Sequence, residues 1–512
     1  MPRHLNRLPL CCLLSLSFAA TSVAVAEESD ANKVLLIVLD GLRPDYVTEE
    51  RMPNLYAWGR DGVVFEKHHA TFPTVTRVNS PSIATGTYPN QHGIADNSVY
   101  FPTIEPDKTL STASRGDLQR IEAATGGHLL TVESMGEYLA GQGMKLGVFS
   151  SGSHGSAFLL NHKVPNGAII NTGFILPESL AETLGPQLGE EPADGAPNTA
   201  RNNRVVDAYL DYGLNELKAP LTIMWLSDPD HTAHEYGMDS PENYAALRGV
   251  DDALGRIAAT LESRGLLEST NIMVTSDHGF STHTLEEDPR QVLHDFVATH
   301  HLAPEDIIVT GATIYLREAA KPLLGELVET LQRTPWVGPL FTKAKSPQSI
   351  EGVVPGTLSL GVIHADHPER APDIVFSPKW TDDKTGPFSG TVATSGVAGH
   401  GSASPWDIHN ALIARGPAFE QGILIGTPTH NTDLAPTVCH LLGLAVPPTQ
   451  VGRVLFEGLR EETPQLPETV TTRTLRTTRT FDDGTQYVME VELSRYRGIE
   501  YLDQASATKI AP

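Results

Sequence analysis

The chain has 512 residues, more than one ordinary domain needs, and 62 acidic side chains against 37 basic ones give a formal charge of −25. So acidic a surface repels nucleic-acid polymers and excludes a general DNA or RNA binder. Of the three cysteines, two are Cys11 and Cys12, so removal of the N-terminus leaves Cys439 alone and excludes an intramolecular disulfide.

Arg3 and Arg7 lead into an apolar stretch from Leu8 to about Ala20, and Ala24-Val25-Ala26 offers the small residues a signal peptidase needs. Residues 1–26 therefore predict a cleaved export signal and a periplasmic or secreted protein. The apolar stretch is shorter than the ~20 residues of a spanning helix, so no stable membrane insertion is expected. Removing the signal takes two arginines and no acid, leaving 35 basic residues against 62 acidic ones, a formal charge of −27.

Three apolar runs then end in aspartate: 34–39 before Asp40, 221–226 before Ser227-Asp228-Pro229-Asp230, and 271–275 before Ser276-Asp277-His278. Strand-like and helix-like stretches alternate from 33 to about 280, which predicts an α/β fold with a doubly wound, mostly parallel sheet sandwiched by helices. The carboxyl ends of such strands face one crevice, where carboxylates from distant segments converge. From 281 to 399 the pattern turns irregular, with strands expected at 312–317 and 371–376 and a helix at 319–333. We read a small α+β insertion beside the crevice. Core patterning resumes at 406–415, so 27–462 reads as one catalytic domain. After Glu462 a Thr/Arg-rich stretch, Asp483-Gly484 and the alternating run 487–493 predict a C-terminal β hairpin within a peripheral appendage, 463–512.

Asp230 and His234 are four apart, so one helical turn projects both to the same side, where they can grip a single ion. Asp277 and His278 are adjacent, and a turn at Gly279 lets both reach one cation. Mixed carboxylate and imidazole ligands suit zinc better than calcium or magnesium. Two such ions about 4 Å apart clamp the attacking and leaving oxygens of a phosphoryl transfer. The nucleophile is expected in the segment 72–86, which offers Thr74, Thr76, Ser80 and Ser82. Each is equally good as a helix cap, and spacing does not choose among them.

Val38-Leu-Asp40-Gly41, Pro73-Thr-Val-Thr76 with Asn79, Thr85-Gly86-x-Tyr88-Pro89-x-x-His92-Gly93-Ile94, Asn97-Ser98-x-Tyr100, Asp230-x-x-x-His234-x-Tyr236-Gly237 and Thr275-Ser276-Asp277-His278-Gly279 stand in this order. Together they resemble the nucleotide pyrophosphatase/phosphodiesterase branch of the alkaline phosphatase superfamily, over residues 33 to about 460. The resemblance implies that Thr76 is the nucleophile and that Asp40, Asp277 and His278 share one metal ion with it. It implies that Asp230, His234 and His400 hold a second ion, His409 and His430 being weaker candidates for the last ligand. Asn97 matches the residue that supports a non-bridging phosphoryl oxygen. The implied enzyme uses two divalent ions, most naturally Zn2+, and hydrolyses phosphodiester or pyrophosphate bonds of small nucleotide-type substrates through a phospho-threonine.

Arg77 departs from the family pattern, in which an aromatic residue usually follows the nucleophile and stacks the substrate base. A guanidinium there favours extra negative charge on the substrate. The alternative is therefore a phosphate monoesterase or a phosphonate hydrolase. Related monoesterases add a Lys-x-Arg contact, of which Lys163 supplies half. Tyr100 is a candidate base platform. A sulfatase is disfavoured because Thr76-Arg77-Val78 lacks the Cys/Ser-x-Pro-x-Arg motif, and a phosphomutase because it would be cytosolic. A non-catalytic binding protein would have lost ligands, and here all are present. The sequence does not report the oligomeric state.

Overall fold

The computed structural model describes Met1 and residues 33–286, 288–460 and 469–512, and the expected export signal at 1–26 otherwise lies outside them. The main sheet has ten strands, eight of them β1 (Lys33–Leu39), β2 (Val63–His69), β3 (Leu146–Ser150), β4 (Gly167–Asn171), β5 (Leu221–Leu226), β6 (Thr270–Thr275), β7 (Leu412–Arg415) and β8 (Ile423–His430), with the two-residue strands Ile175–Leu176 and His409–Asn410 at its edges. β6, β1, β5, β3 and β4 lie side by side and parallel. β7 joins β6 antiparallel and leads to β2, which β8 flanks in parallel. The sheet is thus mostly parallel, as the apolar runs predict.

A parallel central strand is buried on both faces, which is why β1 reads Lys-Val-Leu-Leu-Ile-Val-Leu without polar alternation. Val34, Leu36 and Val38 enter one core, with Leu146 and the helix Leu434–Leu441, while Leu35, Ile37 and Leu39 enter the other. The helix Pro241–Ser263 covers the second face through Leu247, Val250, Leu254 and Ile257. Pairing Leu39 with Leu226 and Val38 with Thr275 ends three strands at the same level. Asp40, the 227–230 loop and Asp277 therefore reach one edge.

The insertion holds a five-stranded sheet that includes Thr313–Leu316 and Ile374–Pro378, near the expected strands. The expected helix at 319–333 is shorter, Leu324–Arg333 after a single turn at Lys321–Leu323, because Pro322 lacks an amide hydrogen and fits only at a helix start. The hairpin at Gly484 is present, its backbone in the left-handed region at φ 83°. A third strand, Ile499–Ile510, extends it to a three-stranded sheet with Thr471–Thr480 and Gln486–Tyr496. One face of this sheet is not peripheral: Tyr487, Met489, Val491 and Ala505 share a core with Leu340, Phe341 and Ile374 of the insertion. The Tyr487 hydroxyl donates to the Gly338 carbonyl at 2.8 Å. Among the described residues, no helix is long and apolar enough to cross a membrane.

Candidate active site

The segment after β2 turns into helix α1 (Thr76–Thr85), which starts on Thr76 itself. Tertiary acceptors separate the hydroxyls that spacing leaves equivalent. Thr74 donates to the Ser402 carbonyl at 2.8 Å, Ser80 to that of Ser156 at 2.8 Å, and Ser82 to that of Val78 at 2.9 Å. The Thr76 hydroxyl instead lies 3.3 Å from Nε2 of His278, in the crevice at the strand ends. Its place at a helix N-terminus favours an anion beside it.

Around that hydroxyl stand the three strand-end aspartates. Asp40 leaves β1 where Gly41 takes φ 71°, and a Cβ on Gly41 would lie 3.0 Å from the Cβ of Asp230, so only glycine permits this approach. Asp230 and His234 occupy one face of helix α2 (Asp230–Tyr236), with His234 Nε2 at 3.3 Å from Asp230 Oδ1. His400 Nε2 lies at 3.3 Å from the same oxygen. His278 Nε2 lies 3.1 Å from Asp277 and 3.5 Å from Asp40. The His278 and His400 rings stack with centroids 3.4 Å apart. Asp230, His234 and His400 each offer one ligand atom within a 4.8 Å group, and so do Asp40, Asp230 and His278.

The hydrogen-bond pattern of these side chains fits a cation. Each histidine turns Nδ1 to a backbone carbonyl: His234 to Ala398 at 3.0 Å, His278 to Gly279 at 2.9 Å and His400 to Thr74 at 2.7 Å. A carbonyl only accepts, so Nδ1 carries the hydrogen and Nε2 presents a lone pair to the crevice. Asp40 Oδ1, Asp230 Oδ1 and Asp277 Oδ2 are buried there without a hydrogen-bond partner. Lone pairs thus face lone pairs, an arrangement that divalent metal satisfies. Burial and the charges of Asp277 and Asp230 push the Asp40 carboxyl well above its usual range. Burial pushes Asp230 the same way, but positive charge beside it, at His234 first and then at His400, outweighs burial and holds it well below, as a cation in that place also would. Burial, with His278 alongside, drives His400 down to about 4.

Asn97 accepts the Arg77 backbone N–H on Oδ1 at 3.1 Å, which leaves its NH2 end for a ligand. A cleft of about 310 Å³ opens on Asp40, Thr76, Arg77 and Asp230, with His154 and Arg201 at its wall. Arg201 is already paired with Asp194 at 2.9 Å and Glu191 at 3.1 Å. The Arg77 Nε is buried without a partner.

Tyr100 and Lys163 do not line this cleft. The Tyr100 hydroxyl donates to the Pro106 carbonyl at 2.8 Å and its ring lies 5.6 Å from that of Tyr315. The Lys163 ammonium is bound to Glu137 at 2.6 Å. His430 packs on Tyr88, and His409 on His69, so of the three histidines considered for the last ligand only His400 reaches Asp230. Two contributors escape the sequence reading. The Trp225 indole donates to Asp40 Oδ2 at 2.9 Å, and Asn431 donates to the Asp277 carbonyl at 3.1 Å. Nothing in their local sequence marks them.

The sequence model of the family described as type I phosphodiesterase / nucleotide pyrophosphatase matches residues 34–381. The chain belongs to this family. As a nucleotide pyrophosphatase/phosphodiesterase of the alkaline phosphatase superfamily, it is a hydrolytic enzyme. It is 23% identical over 430 residues to a bis(5'-adenosyl)-triphosphatase of Pongo abelii, covering 80% of this chain and 78% of that one. It is 26% identical over 270 residues to the human ectonucleotide pyrophosphatase/phosphodiesterase family member 7, covering 53% of this chain and 52% of that one. The fold is similar to that of murine ectonucleotide pyrophosphatase/phosphodiesterase 5, with a TM-score of 0.59 and 19% identity, covering 83% of this chain and 100% of that one. An inactive form of that murine protein is known in complex with AMP.

Proposed function

We propose that this phosphodiesterase is an exported two-metal enzyme that cleaves phosphodiester or pyrophosphate bonds of small nucleotide-type substrates through a phospho-threonine. One observation carries the reading: of the four candidate hydroxyls only that of Thr76 is held by the Nε2 lone pair of His278 instead of a carbonyl, beside buried aspartate oxygens that have no hydrogen-bond partner. The names of a bis(5'-adenosyl)-triphosphatase and of an AMP complex among the similar proteins support a nucleotide-type substrate. The N-terminal sequence supports export.

Asp40, Asp277 and His278, with Thr76, would hold one divalent ion, and Asp230, His234 and His400 the other, with zinc the metal that suits these donors. When bound, the ions supply positive charge at the attacking and leaving oxygens. Thr76 Oγ1 bonds to phosphorus as the bond to the leaving oxygen breaks, and water then cleaves the phospho-threonine and restores the hydroxyl. The Asn97 NH2 group donates to a non-bridging oxygen, where charge builds during both displacements.

A second reading has its own observation. Arg77, whose buried Nε has no partner and which lines the cleft with Thr76, suits the second charge of a phosphate monoester or phosphonate. Rates of the zinc-loaded protein on an aryl phosphate diester and on the matching monoester decide between the two. The first reading expects the diester to react faster by orders of magnitude, and the opposite preference overturns it.

A further inference from the structure

A second group of metal-capable side chains lies away from the cleft, where the C-terminal sheet meets the main sheet. His69 ends β2, His409 opens the short strand His409–Asn410 beside it, and Asp503 lies on the strand Ile499–Ile510. One ligand atom of each falls within 4.8 Å of the others. His69 Nε2 lies 3.0 Å from Asp503 Oδ1, across 434 residues of chain, and the His69 and His409 rings meet edge to face at 4.5 Å.

The hydrogen bonds around the group do not close. His69 Nδ1 faces the Thr429 carbonyl at 2.9 Å, so it carries the hydrogen and donates. In a neutral ring Nε2 is then a lone pair aimed at a carboxylate oxygen, which also offers only lone pairs. Two acceptors at hydrogen-bond distance need a positive charge between them, either a proton or a metal ion. A proton on His69 would answer for the pair with Asp503. It would leave His409 unanswered, because His409 Nε2 is buried with no hydrogen-bond partner at all. A divalent cation satisfies all three side chains together.

The outer contacts match those of a held ligand set. The second oxygen of Asp503 accepts from the Ser494 hydroxyl at 2.7 Å, and the Thr429 carbonyl fixes the His69 ring. This repeats the pattern of His234, His278 and His400, each with Nδ1 on a carbonyl and Nε2 facing carboxylate. His69 is buried, whereas the Asp503 side chain is 22% exposed, which leaves solvent access for a fourth ligand.

We propose that His69, His409 and Asp503 form a structural site for a first-row divalent cation of the zinc type, separate from the cleft, which clasps the C-terminal sheet onto the main sheet. Two imidazoles and one carboxylate suit such an ion, with water completing the shell. Folding alone brings the three ligands together, so an ion held here stabilises the native chain and not the unfolded one.

The test uses the full chain, stripped with a chelator, reloaded with zinc and desalted. Bound zinc per chain, the melting temperature with and without zinc, and hydrolytic rate are compared in wild type, His409→Ala and Asp503→Asn. Asp503→Asn keeps the side-chain shape and an oxygen for Ser494, which guards against a folding failure of His409→Ala. Each variant is expected to retain one zinc ion fewer than wild type, to hydrolyse substrate at the wild-type rate, and to melt several degrees lower in zinc. The difference in melting should shrink once all proteins are chelated. Equal zinc contents overturn the site. So does a melting difference that survives chelation undiminished, which would mark an ion-paired His69 alone. The zinc difference is read independently of turnover, so failure here is distinct from failure of the proposed catalytic function.

Discussion

The Thr76 hydroxyl stands 3.3 Å from Nε2 of His278, a nitrogen that lies only 3.1 Å from the Asp277 carboxylate. Thr74, Ser80 and Ser82 spend their hydroxyls on carbonyls, so none of them can replace it. Thr76→Ala removes the proposed nucleophilic oxygen while leaving every carboxylate and imidazole in place. Turnover is expected to fall by roughly 10³-fold or more. Zinc content should stay near that of wild type. A Thr76→Ala variant that keeps most of its activity on an aryl diester would sink the assignment.

Asn97 is oriented by the backbone of Arg77, twenty residues earlier in the chain. Because Oδ1 accepts the Arg77 N–H, the NH2 end is the donor that the proposed mechanism gives to the phosphoryl group. Asn97→Ala should lower kcat by about 10²- to 10³-fold, the usual cost of one such donor. Asn97→Asp keeps an oxygen for the Arg77 N–H but has no NH2 group, so it should be impaired at least as much. If Asn97→Asp were nearly as active as wild type, the residue would serve only to position the turn.

The charges of Asp40, Asp230, Asp277 and Asp96 act on Arg77, yet its buried Nε has no hydrogen-bond partner among the described residues. Charge-assisted hydrogen bonds contribute about 1.5–3 kcal/mol, so Arg77→Ala should reduce kcat/KM roughly 10- to 100-fold on substrates with a second negative group. A singly charged aryl diester should be affected much less. Steady-state kinetics on the two substrate types check this, and an equal loss on both would remove Arg77 from specificity.

The strand ends were legible because parallel central strands are uninterrupted apolar runs, so a carboxylate within four residues of each run's end marks the crevice. Asp40, Asp230 and Asp277 stand out for that reason. The choice among hydroxyls was not legible locally, since it depends on the carbonyls of Ser402 and Ser156, far along the chain. The Trp225 bond to Asp40 spans 185 residues and leaves no trace in local pattern. The last strand, Ile499–Ile510, escaped because its buried face carries Tyr501, Ala505 and Ala507, mostly small side chains, instead of a large apolar series. Its partners supply the bulk.

Buried neutral histidines away from the cleft make stability depend on pH. His92 accepts the Ile94 N–H on Nδ1 at 3.2 Å, so Nε2 carries the hydrogen toward the Ser82 hydroxyl, also at 3.2 Å. A second proton on the ring breaks the Ile94 bond. Burial, followed by the nearby His367 and Arg370, drives the His92 pKa down to about 3, and burial takes His68 to about 3 as well. The unfolded chain protonates these rings below a pH of about 6.5, whereas the native chain does not until about 3. Between those limits the unfolded state binds more protons, so stability falls as pH drops and is fully present above the upper limit. Each ring contributes a slope of up to ~1.4 kcal/mol per pH unit. Denaturant unfolding from about pH 7 to about pH 4 measures that slope, and His92→Gln should flatten it by nearly one proton while lowering stability at neutral pH. An unchanged slope in the variant would mean that the His92 ring is already protonated in the folded chain.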